Sequence, residues 1–215
     1  CHDMNTASWI PDEFMRRVES EDVWYFFDPK DTVGLDGKSL HDCFGDEFDT
    51  RYNKLCDAAA DGVIKNYKVT AAKELWKKML KVLFETSHPW NTFKDPCNIR
   101  YTNQHEGTVN SSNLCTEITL HTKPSEYNKG QKVKIGETAV CNLGSINLLN
   151  HLKEKQNHGN SQWAIDYGKL ESTIHTALRM LDNVIDINFY PTREAENSNL
   201  KHRPIGLGIM GIHYV

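Results

Sequence analysis

The sequence has 215 residues, 39% of them hydrophobic and 25% charged, with a formal net charge of −4; this is enough chain for one cored domain or most of one, with an ordinary soluble composition. Lysines and arginines are scattered rather than clustered, which excludes a nucleic-acid surface, and no apolar run approaches the ~20 residues of a membrane span. The opening also lacks the charged and apolar regions of a secretion signal, so the chain is read as an intracellular, cytoplasmic piece with neither nucleic acid nor membrane as partner.

In chain order, Trp9 to Val18 predicts a helix, because Pro11 suits a first turn and Ile10, Phe14 and Val18 return at a helical interval. Residues 20–45 read as irregular, punctuated by Asp28-Pro29, Gly34, Asp36-Gly37 and Gly45, with one strand-like run at Val23 to Phe27. A helix is expected from Asp46 to Ala60, ended by Asp61-Gly62. A stronger one follows through Phe84, with Thr70 as its N-cap and Ala72, Leu75, Trp76, Met79, Leu80 and Leu83 as its apolar stripe. Asn91 to Lys94 and Ile99 to Thr102 are short strand candidates about a turn at Asp95-Pro96. Residues 103–112 read as a polar loop leading into a strand from Leu114 to His121. Residues 123–136 are polar and rich in turn formers, so they predict an exposed excursion before a strand from Thr138 to Leu143. Tyr167 to Ile187 carries a second strong helical stripe, and Ile205 to Ile209 a closing strand. Helices alternating with short apolar strands argue for an α/β fold. About five strands with helices outside are expected.

Six cysteines stand at positions 1, 43, 56, 97, 115 and 141. They form no CxxC pair and match no zinc spacing, and the histidines show no convergent pattern, so no metal site is expected. Asn110-Ser111-Ser112 has the form of a glycosylation sequon but reads as a chance match. Gly206, Gly208 and Gly211 fit a dinucleotide fingerprint in spacing only. The following helix and acidic residue are missing, and close backbone packing in a strand is the better reading.

The chemistry concentrates in Ser111-Ser112-Asn113-Leu114-Cys115-Thr116-Glu117-Ile118, followed 26 positions after its cysteine by Cys141. In an extended segment Asn113, Cys115 and Glu117 share one face. An amide, a sulfur and a carboxylate would then converge on one small volume, as a catalytic cluster requires.

This wording resembles the active-site loop of the large, catalytic subunit of class I ribonucleotide reductases. The stretches HDMNTASWIPDEFMRRV (2–18), HPWNTFKDPCN (88–98), AVCNLGSINL (139–148), MLDNVIDINFYP (180–191) and HRPIGLGIMG (202–211) look like that family's successive landmarks in order. The resemblance implies that residues 1–215 are part of a catalytic domain whose N- and C-terminal parts are absent. That domain is a ten-stranded α/β barrel with a central finger loop carrying the catalytic cysteine. It further implies that Cys115 becomes a transient thiyl radical that abstracts the 3′-hydrogen of a ribonucleoside diphosphate, that Glu117 takes the 3′-hydroxyl proton, and that Asn113 orients the sugar. Cys141 would be one of two reducing cysteines, its partner lying upstream of residue 1. No cofactor is expected on this chain. The radical cofactor would sit in a separate small subunit, and a thioredoxin or glutaredoxin system would be the reductant.

Two other readings stand beside this one. The chain could be one product of a split or intein-interrupted gene, which a leading Cys1 would suit, or a non-catalytic remnant that only binds a reductase subunit. Retention of Asn113, Cys115, Glu117 and Cys141 counts against decay.

Overall fold

The computed structural model describes residues 4–157 and 160–215, with the side chains at 34–36, 157 and 160 left out of account. Cys1 and the two residues after it lie outside the described residues. The chain divides into two units, one ending at His121 and the other beginning at Thr122, and each is taken by itself.

The first unit opens with β1 (Ala7–Ile10), paired in parallel with β4 (Trp90–Phe93). That pairing draws Trp9 and Ile10 into a strand, so α1 (Asp12–Glu19) starts later than its periodicity suggests, with Pro11 at the N-cap. β2 (Val23–Phe27) pairs antiparallel with β3 (Tyr67–Ala71). Thr70 is therefore a strand residue opposite Trp24 rather than an N-cap, and α4 begins at Ala72 and runs to Thr86. Within the stretch expected to be irregular, Pro29–Asp36 forms α2: Pro29 presets the first helical φ, and the Asp28 carboxylate accepts from the Lys30 N–H at 2.9 Å. α3 (Gly45–Ala60) matches its expected span closely.

Ile10, Phe14 and Ala72 form one core cluster, packed by Trp24, Leu75, Trp76 and Met79. Cys43, Phe48 and Tyr52 form a second, in which Trp24 stacks on Tyr52 at 4.2 Å between ring centres. The two clusters share Trp24, which joins α1 and α4 to α3 through apolar burial. The Tyr52 hydroxyl is satisfied by the backbone of Tyr25, accepting from its N–H at 2.7 Å and donating to its carbonyl at 3.1 Å.

α5 (Lys94–Arg100) replaces both the expected turn at Asp95-Pro96 and the strand expected at Ile99 to Thr102. Pro96 falls in the first turn, where a missing N–H removes no helical hydrogen bond. The buried Asp95 carboxylate accepts from Asp12 N–H at 2.5 Å and from Gly45 N–H. One side chain thus serves the first residues of both α1 and α3, where the helix dipoles favour negative charge.

The second unit carries the exposed hairpin of β5 (Glu126–Asn128) and β6 (Gln131–Lys134), within the expected excursion. β7 (Asn142–Asn147) lies several residues beyond the expected strand at Thr138 to Leu143. It pairs in parallel with β10 (Ile205–Met210), which matches its expected place. Between them come the antiparallel β8 (Leu152–Asn157) and β9 (Asn160–Ile165), then α6 (Tyr167–Ile187) and α7 (Arg193–His202). α6 packs on the β7–β10 pair, with Leu181 against Gly144. Arg203 ties the end of α7 back to α6 through Asp182 at 2.9 Å and Asp186 at 2.7 Å.

The described residues thus hold ten short strands in five separate pairs, more than the five or so expected. The two pairs that carry the central landmarks are parallel, with helices between their strands, as a mixed α/β architecture requires.

Candidate active site

Val109 is the last anchored residue before the Asn113-to-Glu117 segment. Its N–H donates to Asn98 Oδ1 at 2.7 Å, and its carbonyl accepts from Asn98 Nδ2 at 3.0 Å and from Trp9 Nε1 at 3.1 Å. The Asn98 amide thereby pairs with Val109 as a neighbouring strand would. Its remaining N–H donates to Lys94 O at 2.9 Å inside α5. Both residues are buried. Just before them, Thr108 Oγ1 donates to Asp42 O at 3.0 Å, and the Thr108 carbonyl accepts from His121 Nδ1 at 2.7 Å. Gly107, at φ +142°, lies so close to the His121 ring that a β-carbon would sit 2.5 Å from it. A loop closed in this way has a fixed base.

The strand expected from Leu114 to His121 does not form, and Asn113, Cys115 and Glu117 do not sit along one face of an extended segment. They lie instead in a tight turn. The Thr116 N–H donates to Asn113 O at 3.2 Å, and Thr116 adopts the left-handed φ of +70°. The Asn113 side chain closes the turn from both ends of its amide: Nδ2 donates to Glu117 Oε1 at 2.7 Å, and Oδ1 accepts from Ile118 N–H at 3.1 Å. Short polar side chains that bond the nearby backbone compete with strand formation in this way. Asn113 and Glu117 are still brought together, by direct contact, and Cys115 stands exposed between them.

Beside the turn opens a cavity of about 250 Å³, lined among others by Trp9, His88, Trp90, Asn110, Asn113 and Thr116. The polar groups come mainly from the loop and the aromatic rings from β1 and β4 with the residues just before it. The turn thus borders a space that offers both hydrogen bonds and a flat apolar wall.

Cys141 belongs to the second unit, immediately before β7, and is half-buried. Its thiol donates to Pro204 O at 3.9 Å. That carbonyl also accepts from the Asn142 backbone at 3.2 Å and side chain at 3.0 Å, and Asn142 in turn donates to the buried Asn199 at 3.0 Å. Four site candidates were legible in the sequence: Asn113, Cys115, Glu117 and Cys141. Asn98 and Trp9, which set the base of the loop, were not, because Trp9 meets Val109 across 100 positions and the Asn98 amide pairs with it across 11, without a local pattern that signals either contact.

Comparison with known proteins agrees with these landmarks. The family model described as the ribonucleotide reductase barrel domain matches residues 1–215. The chain belongs to that family. It is 49% identical over 211 residues to the ribonucleoside-diphosphate reductase alpha subunit of Chlamydia muridarum, covering 98% of this chain and 18% of that protein. It is 39% identical over 212 residues to the large subunit of Danio rerio, covering 99% of this chain and 23% of that protein. The Arabidopsis thaliana large subunit is 38% identical over 224 residues, covering 99% and 25%. The chain therefore spans about a fifth to a quarter of the length of these ribonucleotide reductase relatives. Among its described residues, no helix is long and apolar enough to cross a membrane.

Proposed function

We propose that these residues are the central catalytic segment of a ribonucleoside-diphosphate reductase, acting with the remaining segments of a large subunit to make deoxyribonucleotides in the cytoplasm. The observation that carries this reading is the turn in which Asn113 holds the Glu117 carboxylate at 2.7 Å with Cys115 exposed between them. Sulfur holds a radical at modest cost and can both take and return a hydrogen atom. In this reading Cys115 loses its hydrogen atom to an oxidant delivered by a separate small radical-generating subunit, and no cofactor is held by this chain.

The Cys115 radical takes the hydrogen from C3′ of the ribose. Glu117 removes the proton from the 3′-hydroxyl, which requires hydrogen-bond reach to that oxygen, and Asn113 orients both the carboxylate and the sugar. The C2′–O bond then breaks and the hydroxyl leaves as water. Cys141 and a second thiol outside these residues supply two electrons and two protons as their S–S bond forms, and Cys115 returns the hydrogen atom to C3′. The balance is one ribonucleoside diphosphate and two thiols in, one deoxyribonucleoside diphosphate, one disulfide and one water out. A thioredoxin or glutaredoxin system would reopen the disulfide. The 215 residues alone are expected to reduce no nucleotide.

The test uses this segment within a complete large subunit, given its small subunit and 3′-labelled substrate. Cys115→Ser should abolish exchange at C3′ and release no free base, because an alkoxyl radical cannot be generated where a thiyl radical can. Cys141→Ser should release base without turnover. Equal behaviour of the two variants would refute the division of roles.

A further inference from the structure

The β7–β10 pair has two unlike faces. Gly144, Ile146 and Leu207 lie toward α6, and Ile146 is buried. The other face carries Cys141, Leu143, Ser145, Gly206 and Gly208, and Leu143 is 54% exposed there. Gly206 is opposite Leu143 in the parallel register. It has no positive φ, so its backbone conformation does not call for glycine. The space around it does: a β-carbon at Gly206 would lie 2.6 Å from Leu143 Cδ2 and 3.7 Å from Cys141 Sγ.

We propose that Gly206 is a positioning residue that keeps the Cys141 sulfur reachable by a second thiol; this rests on the reading of Cys141 as a reducing cysteine. The thiol hydrogen-bonds to Pro204 O near the start of β10, and a residue-206 side chain would stand beside the sulfur on the same face of the pair. A disulfide needs the second sulfur at about 2.05 Å and the two Cα atoms within ~7 Å. A methyl group in van der Waals contact with Sγ, with Leu143 pushed aside by the same methyl, would occupy the approach. The bond formed is S–S, the bonds lost are two S–H, and the two electrons and two protons go to the nucleotide as described above.

The experiment measures iodoacetamide alkylation of each cysteine in the 215-residue chain by peptide mass spectrometry. It compares wild type, Gly206→Ala, Gly206→Val and the control Gly168→Ala, whose β-carbon would meet only Asp166 at 3.7 Å. The expected result is a slowing at Cys141 of at least about threefold in Gly206→Ala and more in Gly206→Val, with Cys97 and Cys115 unchanged and the control like wild type. An unchanged Cys141 rate in both Gly206 variants overturns the proposal. If all cysteines of Gly206→Ala react faster, the fold is disturbed, and Leu143→Ala is added to remove the contact at 2.6 Å; a wild-type Cys141 rate in the refolded double variant then overturns it, and a slowed rate supports it. Slowed alkylation with undiminished turnover of Gly206→Ala in a complete reductase leaves the clearance intact and sinks the redox reading of Cys141 instead.

Discussion

The Asn113 amide donates to the Glu117 carboxylate at 2.7 Å while its own oxygen accepts from Ile118 N–H at 3.1 Å, so one side chain sets both the direction of the Glu117 carboxylate and the closure of the turn. Asn113→Asp would retain the acceptor for Ile118 and place a second carboxylate against Glu117. Asn113→Ala would lose both bonds. Amide exchange at Ile118 should accelerate severalfold in Asn113→Ala, in line with about 1 kcal/mol for an exposed hydrogen bond, and change less in Asn113→Asp. Equal acceleration in both would show that the Ile118 bond does not hold the turn.

Asp95 is buried and serves two helix starts at once. Asp95→Ala leaves the N–H groups of Asp12 and Gly45 without their acceptor, and unsatisfied buried donors cost about 1–3 kcal/mol each. The expected loss of stability is ~2–4 kcal/mol. Four of the five tryptophans lie in this unit, so urea unfolding followed by tryptophan fluorescence reads the loss directly. An effect below ~1 kcal/mol would mean that water replaces the carboxylate.

Asn98→Ala should destabilise the first unit by a similar amount, about 2–4 kcal/mol, since it strips two backbone partners from the buried Val109. Asn98→Asp keeps the acceptor for Val109 N–H and loses the donor to its carbonyl. Its buried carboxylate would also face the carbonyls of Val109 and Lys94 with no donor between them, so its cost should be at least that of alanine. The check is chemical unfolding together with protection of the Val109 amide, which should fall in both variants.

Glu137 gives the second unit an acid limit. Burial pushes its carboxyl up, but the hydrogen bonds from His202 at 2.5 Å and Lys201 at 2.9 Å and the nearby Lys123 charge outweigh this and hold it below the ordinary 4.5. The folded state therefore binds this proton less tightly than the unfolded one. The stabilisation is complete above about pH 4.5 and is lost as the pH falls through the lower folded value. Glu137→Gln should flatten the fall in stability over that acidic window, measured by amide hydrogen exchange of the second unit at a series of acidic pH values. An unchanged acid slope would assign the effect to other carboxylates.

What the sequence made legible follows from how local each signal is. α6 matches its expected bounds because its apolar stripe repeats over many turns and Asp166 caps it, accepting from Lys169 N–H at 3.3 Å. α7 was hidden by a polar composition, REAENSNLKH, whose few inward residues include Ala195, Ser198 and Asn199. The β8–β9 hairpin was hidden likewise by exposed polar alternation. Asp95-Pro96 reads as a turn because Asp-Pro usually marks one, whereas in α5 the aspartate serves the starts of two other helices. At the site, residue identity in Asn-x-Cys-x-Glu was readable and geometry was not. Thr116 in a left-handed conformation, uncommon for a β-branched residue, has no signature in single-residue preference.

The grip on Val109 has a mechanical consequence. The Cys115 sulfur stands several residues beyond the point where Asn98 and Trp9 hold the backbone, and each residue can reach ~3.3 Å, so the loop behaves as a lever pivoted at its base. A slight rotation at Val109 would be magnified at the sulfur. Substitutions at Asn98 or Trp9, though neither side chain is part of the Asn113–Glu117 turn, should therefore shift the position of Cys115 in addition to lowering the stability of the first unit.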